Sequence, residues 1–460
     1  MLDIAIVALY LIFLTVMGLR GGRSVKNAAD FTAAGGRYGT AVIFASLSAS
    51  FIGGGFSAGN AAAAFEKGIG TTLALLGFSL SMMVIGRKLV PGVARFTGAG
   101  GKTAVSTPGG IIEVAYGRGE RVVTGLFSFF CCAGVVGAQL EAMGTVFHLL
   151  LGIPVYAGVL LGCGIVLVYT TFGGLQSVIT ADIIQFVLLA VGVPVLLLAG
   201  LHRAGGWGGV AANVPADFFN PLNGLGVAGF ISLFLTMAVG EALAPPYTQR
   251  LLIGATPAKT ARGTVLSGLF SIPFFLMTGV IGLTAFALGT GGSPDEAMPA
   301  MILTVLPLGL RGLVMAAMVS IMLSAADGFL NGAAIGLVCD TLLPLFPEIK
   351  EKNQLRWLRG VNLVTGLAAL VMALLMPSIF DILVLAYSFW GPLILVPLAA
   401  ALLGVRADRR CFRNAVLAGL GLMLWWNYLM GKPLEIDGGV VGLAGNLMAF
   451  AGSYRAYKKR

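Results

Sequence analysis

Three consecutive glycines, Gly53 to Gly55, lie in the middle of an apolar segment that is long enough to cross a bilayer. Glycine is among the least favourable residues inside a continuous helix, so this segment predicts a broken membrane span. A second apolar segment is interrupted by Gly240, Pro245 and Pro246. Non-helical backbone at membrane depth is tolerated only where protein or a water-filled cavity satisfies its polar groups. Two broken spans are typical of transporters, which bind their ligands at such breaks.

The composition predicts an all-α membrane protein with many spans. Of the 460 residues, 58% are hydrophobic and only 10% are charged, and the mean hydropathy is +0.95. An apolar helix of about 20 residues spans the hydrocarbon core of a bilayer. Windows of that length predict thirteen transmembrane helices, at residues 2–19, 40–63, 70–94, 122–151, 154–172, 178–201, 226–247, 263–288, 310–339, 357–376, 380–404, 413–430 and 438–454.

The basic residues predict the orientation of these helices. The net charge is +10, and 25 of the 29 lysines and arginines fall on one side of the predicted membrane, the exceptions being Lys67, Arg203, Arg311 and Lys432. Cytoplasmic loops carry an excess of Lys and Arg, so we expect a multi-pass protein of the cell membrane with an external N-terminus and a cytoplasmic C-terminus. Because the basic residues lie in short loops between spans, the pattern favours a lipid bilayer over nucleic acid as the partner.

The positions of the two breaks predict an inverted repeat. They fall in helices 2 and 7, five helices apart, so the second repeat would enter the membrane from the opposite side. In such folds the solute and the ion bind near the midplane, where the broken helices meet. We therefore expect a single transporter domain over residues 1–460, made of an extra N-terminal helix (1–25), a first repeat of helices 2–6 (38–205), a second repeat of helices 7–11 (224–404) and the C-terminal helices 12 and 13 (411–460).

Five stretches of the chain carry a resemblance to a known family. They read ASLSASFIGGGFSAGN from residue 45, GAQLEAMG from 137, YTTFGGLQSVITADIIQ from 169, PPYTQR from 245 and LSAADGFLNGAAIGLVCD from 323. In this order they resemble the sodium:solute symporters, which share the LeuT-type fold. The resemblance covers about residues 28 to 345. It is specific for the family and much less so for the solute.

The resemblance implies a sodium site, with Na⁺ as the coupling ion. Its ligands would be the carbonyls of Ala49, Ile52 and Ile321 and the hydroxyl of Ser324. Members of the family usually carry a second hydroxyl directly after that serine, but here the residue is Ala325, so the site is one oxygen short. Asp182 aligns with an acid that some relatives use in a second sodium site. The alternative for Asp182 is an acid near a helix N-terminus, favoured there by the helix dipole.

Candidate solute-binding residues lie at the two breaks and on helix 4, which lines the solute cavity in this fold; they are Gly53, Gly54, Gly55, Phe56, Gln139, Glu141, Gly240 and Glu241. Charged side chains inside the membrane avoid lipid and mark functional sites. Glu141 and Glu241 would therefore bind an amine of the solute, carry protons, or pair with neighbouring hydroxyls and amides. The chain is somewhat similar to the choline-transporter branch but lacks its aromatic cage, since Ala244 and Phe51 stand where those relatives have tryptophan.

Other functions are less consistent with the sequence. An enzyme is not expected, because the sequence contains neither a Ser/His/Asp arrangement nor a metal-ligand cluster, and its glycine-rich segment lacks the lysine of a phosphate-binding loop. The five cysteines show no ligand spacing, and no obligate protein partner is evident. We expect sodium-coupled symport of a small organic solute by alternating access. The alternatives are a proton-coupled transporter of the same fold and a transport-deficient sensor or scaffold.

Overall fold

A computed structural model of the chain describes residues 1–22, 25–32, 38–96, 105–376, 378–433 and 436–458. The described residues fold as helices joined by short connections, without a β-sheet, so the predicted all-α class is confirmed. Five basic residues that the orientation argument assigned to the cytoplasmic side, Arg23, Arg37, Lys102, Lys459 and Arg460, lie outside the described residues.

Twenty-one α-helices follow one another along the described chain. The first half contains α1 (Leu2–Gly22), α2 (Ala28–Thr32), α3 (Thr40–Phe51), α4 (Asn60–Lys67), α5 (Gly70–Val84), α6 (Val90–Val93), α7 (Pro108–Tyr116), α8 (Arg118–Leu151), α9 (Val155–Arg203) and α10 (Gly206–Asn213). The second half contains α11 (Gly226–Val239), α12 (Pro245–Leu252), α13 (Pro257–Ala287), α14 (Ala297–Val305), α15 (Leu310–Ile335), α16 (Leu343–Leu345), α17 (Glu351–Leu375), α18 (Ile379–Ser388), α19 (Gly391–Leu403), α20 (Arg409–Leu424) and α21 (Gly438–Lys458). Single π-helical turns occur at Gly55–Gly59, Ile85–Leu89, Gly336–Leu342 and Trp425–Leu429.

The predicted count of thirteen spans stays a prediction. Seven helices of the described chain are long and apolar enough to cross a membrane, or up to nine if two sharply bent pairs are each one span. Part of the difference comes from α9, a 49-residue helix that covers two of the predicted windows. It changes direction at Gly174, whose φ of 62° and ψ of 178° are not helical. A residue with a side chain would be strained at that positive φ, so glycine makes the kink possible.

Among the seven long apolar helices, the most buried is α15, which packs against α8 and α9. Its side chains are buried almost without interruption from Val314 to Ile335. The outer faces of the helix bundle expose large apolar side chains, including Leu9, Val191, Leu198 and Leu367. Apolar surface of this extent is what a hydrocarbon environment stabilises. The fold therefore places α15 at the centre of a membrane-embedded bundle, where the broken helix α3 reaches it.

Candidate solute and cation site

The predicted break in the second apolar segment of the sequence coincides with the end of α3. That helix stops at Phe51, helical structure resumes at Gly55, and the two halves differ in direction by 66°. At the break the Gly53 amide donates to the Phe51 carbonyl, at 2.8 Å. In an uninterrupted helix it would donate to Ala49. The break therefore releases the Ala49 carbonyl from its helical partner.

The three glycines allow neighbouring helices to approach the break closely. The Gly54 amide donates to Oε1 of Gln139, at 2.6 Å, so α8 satisfies a backbone group that the break leaves without a helical partner. A Cβ atom at Gly53 would lie 2.7 Å from that Oε1, and one at Gly55 would lie 2.2 Å from Cδ1 of Leu383. Real Cβ atoms do not make such contacts, so larger residues would displace the helices. The structure thus brings Gln139 and the glycines together.

The second break lies between α11, which ends at Val239, and α12, which begins at Pro245. Leu243 between them has a φ of 55°, which is uncommon for a residue with a side chain. Backbone carbonyls in this segment find side-chain donors. Trp390 Nε1 donates to Ala242 at 2.9 Å, and the Thr248 hydroxyl donates to Leu243 at 2.6 Å. The unwound segment is therefore held in place from both sides.

Glu241 lies in this second break and is only 3% exposed. The Tyr247 hydroxyl donates to one carboxylate oxygen at 2.7 Å, and the Tyr387 hydroxyl donates to the other at 3.2 Å. Both donors are neutral groups, and Glu241 forms no ion pair with any residue that the structure describes. A buried carboxylate whose partners are all neutral attracts a cation or a proton.

A small cavity, here called the break cavity, joins the two breaks; it is lined by Ser50, Phe51, Gly53, Gly55, Phe56, Val135, Gln139, Glu241, Ala325, Phe329, Leu383 and Tyr387. Five of the predicted solute-site residues and Ala325 are in this lining. Gly54, Gly240 and Glu141 are not. Glu141 is buried on α8, but it does not share the break cavity with Glu241.

A larger cavity of about 540 Å³ leads from the surface toward the break cavity. It is lined by charged side chains of both signs: Glu66, Lys67, Asp295, Asp381, Lys432 and Asp437. A narrow space between the two shares Gly59 and Thr71 with the larger cavity and Phe56 and Tyr387 with the break cavity. The three spaces are therefore adjacent, and the innermost of them, the break cavity, lies beside Gly53 and Gly55.

The residues of the implied sodium site lie next to the break and are fully buried. Ala325 packs against the break itself, since a Cβ atom at Gly53 would lie 2.9 Å from its methyl group. The Ser324 hydroxyl donates to Oδ1 of Asp182 at 2.7 Å. Donating its hydrogen leaves the lone pairs of the Ser324 oxygen available to a cation.

Asp182 is fully buried and forms an ion pair with Arg250, Nη2 to Oδ2, at 2.9 Å. Ser46 connects the two residues, donating to Asp182 at 2.5 Å and accepting from Arg250 Nε at 2.8 Å. The dipole explanation for Asp182 is wrong, because this residue lies eight positions beyond the kink at Gly174, outside the first helical turn.

The distribution of basic residues in the sequence predicts Arg250 in a cytoplasmic loop. The structure instead buries Arg250 completely. It belongs to α12, with no exposed side-chain surface, and donates to the Pro246 carbonyl at 3.0 Å. Tyr387 and Phe329, which line the break cavity, were not predicted either. The only sequence indication for Tyr387 is a Gly-Pro pair shortly after it, at Gly391 and Pro392.

The family can now be stated from comparison with known proteins. The family model described as sodium:solute symporter family matches residues 31–420. The chain belongs to the sodium:solute symporter family. This confirms the resemblance seen in the five stretches of sequence. Members of the family are transporters rather than enzymes, and the chain is a multi-pass membrane transporter of this family.

Relatives within the family are distant. The human sodium/iodide cotransporter is 27% identical over 92% of this chain and 69% of its own length. The high-affinity proline transporter PutP of Bacillus subtilis is 25% identical over 48% of this chain, and the match spans about half of that protein, 47%. A solved Na⁺-coupled sialic acid symporter superposes with a TM-score of 0.86 at 18% identity, over 99% of this chain and 98% of the other. That similarity shows a shared LeuT-type fold.

Proposed function

We propose that this transporter is a sodium-coupled symporter of a small organic solute that works by alternating access. The observation that carries the proposal is the break in α3. The break cavity lies there, lined by Gln139 and Glu241 among others. The same break releases the Ala49 carbonyl and lies beside α15, which carries Ser324. A solute and a cation bound at one break would stabilise the same arrangement of α3 against α15, which is the physical basis of coupling.

The proposed sodium ligands are the carbonyls of Ala49, Ile52 and Ile321 and the hydroxyl of Ser324. The carboxylate of Asp182 accepts the hydrogen of Ser324 and so increases the negative charge on the oxygen that faces the cation. We propose that this charge compensates in part for the hydroxyl that Ala325 does not supply. A water molecule or another carbonyl completes the coordination shell.

We propose one sodium ion per cycle rather than two. Both oxygens of Asp182 are already engaged, Oδ1 by Ser324 and Oδ2 by Arg250 and Ser46. The guanidinium of Arg250 is a permanent cation at full burial, and it neutralises the carboxylate that a second sodium would need. A second ion beside it would be repelled. The pairing thus favours Asp182 as a support for Ser324 rather than as a ligand of its own ion.

The proposed solute carries an amino group or another cationic group. Among the described residues that line the break cavity, Glu241 is the only charged one, and the lining also includes four aromatic residues, Phe51, Phe56, Phe329 and Tyr387. A cation gains from the carboxylate and from the faces of the rings, whereas an anion would be repelled. Gln139 adds an amide that can pair with a polar group of the solute.

Proton coupling is the second candidate, and the same carboxylate favours it. Glu241 is buried with two neutral hydrogen-bond partners, so a proton would relieve its uncompensated charge as well as an amine would. In this alternative the cation site at Ser324 has no transport role.

In the proposed cycle, sodium binds first and fixes α3 against α15, which prepares the break for the solute. Occupancy of both sites permits the bundle to rock to its opposite-facing state. Entry of one sodium ion down a membrane potential supplies about 2.3 kcal/mol per 100 mV, which corresponds to about a fiftyfold solute gradient. From the distribution of basic residues we propose that the N-terminus lies outside the cell and the C-terminus in the cytoplasm.

Uptake into proteoliposomes tests the proposal. The purified protein is reconstituted, and amines, amino acids, carboxylates and sugars are offered under a sodium gradient or a proton gradient imposed separately. We expect accumulation of a cationic or zwitterionic solute that depends on the sodium gradient. Accumulation driven by protons alone would support the second candidate. Absence of sodium-dependent uptake for every class of solute would contradict symport and favour a sensor or scaffold.

A further inference from the structure

A shallow groove runs along one face of α17, apart from the transport site. It has a volume of about 450 Å³ and is lined by Asn353, Arg356, Trp357, Gly360, Val361 and Val364. These positions recur every three or four residues, so they share one face of the helix. Gly360 opens the groove, since a Cβ atom there would have no other atom within 4 Å.

The groove is polar at one end and apolar at the other. Arg356 and Trp357 lie at the end nearer the start of α17, and Trp357 is 47% exposed. Toward the other end lie Val361 and Val364, and the same exposed side of the helix continues through Leu367. A tryptophan beside an arginine is typical of the interface between lipid headgroups and hydrocarbon.

The length of the groove matches one leaflet of a bilayer. From Asn353 to Val364 the helix rises about 16 Å, at about 1.5 Å per residue. The hydrocarbon core of a bilayer is about 30 Å thick, so a leaflet contributes about half of that. An acyl chain lying on Gly360 and Val364 would place its headgroup beside Arg356.

The polar end of the groove has a net positive charge, and one of its arginines is exposed to a ligand. The sequence around this end contains four basic residues, Lys350, Lys352, Arg356 and Arg359, and two acids, Glu348 and Glu351. Arg359 lies over the ring of Phe172, with its guanidinium carbon 5.3 Å from the ring centroid. Arg356 is exposed and forms no ion pair with a residue in the described part of the chain. Arg356 is therefore the residue placed to bind a phosphate.

We propose that this groove binds an anionic diacyl phospholipid, with its headgroup phosphate on Arg356, its glycerol region against Trp357 and an acyl chain over Gly360 and Val364. Basic pockets at the membrane surface bind anionic headgroups, and each basic residue near such a surface changes binding about fivefold. A bound lipid would also cover the open space beside Gly360, here called the notch, where no other protein atom lies within 4 Å of a Cβ position. The proposal is independent of the transported solute.

Native mass spectrometry of the detergent-purified, full-length protein tests this site. The protein is titrated with phosphatidylglycerol or with phosphatidylcholine of the same acyl chains. We expect phosphatidylglycerol to bind more tightly, and Arg356→Gln to weaken its binding by about fivefold. Gly360→Leu, which fills the notch, should weaken both lipids. Arg406→Gln, at an exposed arginine between α19 and α20, is the matched control and should bind phosphatidylglycerol as the unmodified protein does.

Three results would overturn the proposal. Equal binding of the two lipids would show that the groove is not selective for anionic headgroups. Equal loss in Arg356→Gln and Arg406→Gln would assign the effect to overall charge. Displacement of the lipid by millimolar inorganic phosphate would show that the acyl chain contributes nothing. Arg356 is exposed, so its replacement leaves the fold intact, which a thermal melt of the variant checks.

Discussion

The Ser324 hydroxyl donates a hydrogen bond to Asp182 at 2.7 Å, and Asp182 in turn forms a fully buried ion pair with Arg250. Side chains of three helices, α9, α12 and α15, therefore meet at Asp182. A cation bound to the Ser324 oxygen would be connected to α12 through two contacts, from Ser324 to Asp182 and from Asp182 to Arg250. Arg250 lies near the end of α12, and this helix begins at the second break. An ion bound at the proposed site would therefore be connected through these contacts to the segment that holds Glu241.

Replacing Ser324 should weaken sodium binding. The variant Ser324→Ala loses the only side-chain hydroxyl assigned to the site, and a ligand to a charged partner contributes about 1.5 to 3 kcal/mol, which is about tenfold or more in affinity. The measurement is the sodium concentration that half-maximally stabilises the purified protein in a thermal melt. Ser267→Ala is the control, because the Ser267 hydroxyl is also fully buried but donates only to the Thr264 carbonyl. An unchanged sodium dependence in Ser324→Ala would remove Ser324 from the site.

Restoring the missing hydroxyl should strengthen the same site. Ala325→Ser adds an oxygen at a residue that lines the break cavity beside Gly53. We expect the apparent affinity for sodium to rise severalfold, since a hydroxyl replaces a water ligand that must be immobilised. Sodium titration of the same melting temperature measures it. A variant that folds normally and shows no change would mean that the chain has abandoned this site.

The ion pair between Asp182 and Arg250 should be a structural unit. Arg250→Gln leaves an uncompensated carboxylate in a fully buried position, and breaking a buried pair costs about 3 to 5 kcal/mol. The double variant Asp182→Asn/Arg250→Gln removes both charges and should regain a large part of the lost stability.

Thermal melts of the two variants in potassium and in sodium also test how many sodium ions the protein binds. Strong stabilisation of Arg250→Gln by sodium is expected, because the ion can then replace the guanidinium. The same stabilisation of Ser324→Ala, in which Arg250 is intact, would instead show a second site already in use.

Glu241 should determine solute affinity. Glu241→Gln keeps the shape of the side chain and removes its charge, so a cationic solute should lose at least about tenfold in affinity while stabilisation by sodium is retained. Uptake with increasing solute concentration measures the effect. Glu141→Gln is the control, because Glu141 is buried but lies outside the lining of the break cavity. Loss of the pH dependence of uptake would assign Glu241 to proton coupling. Normal transport with lower thermal stability would make it a structural partner of Tyr247 and Tyr387.

Much of the site could be predicted because it is encoded locally. Glycines near the first break and Gly240 with two prolines near the second break disfavour continuous helix for reasons of backbone chemistry. In the structure α3 ends at Phe51 and α11 ends at Val239, close to these residues. Gln139 followed from a stretch of helix 4 that resembles the family. It does contact the break, through the Gly54 amide. Local chemistry and family resemblance together were therefore sufficient to predict the two interruptions, and with them the place of the candidate site.

The remainder depends on contacts between distant parts of the chain. Arg250 was counted as a loop residue because its burial requires Asp182, which lies 68 residues earlier. Tyr387 reaches Glu241 across 146 residues, and no spacing rule connects them. Glu141 was expected near Glu241 because both belong to helices that line the cavity in this fold. Packing between helices decides which face of α8 points toward the break cavity. That face carries Gln139 but not Glu141, so Glu141 and Glu241 do not line the same cavity.

The central claim is that sodium and solute bind together at the break of α3, and equilibrium binding tests it most directly. The solute identified by uptake is radiolabelled, and its dissociation constant for the purified protein is measured in sodium and in potassium. The account predicts that sodium tightens solute binding by about tenfold or more, and that Ser324→Ala abolishes most of this difference. Equal solute affinity in sodium and potassium for the unmodified protein would contradict coupling at this site.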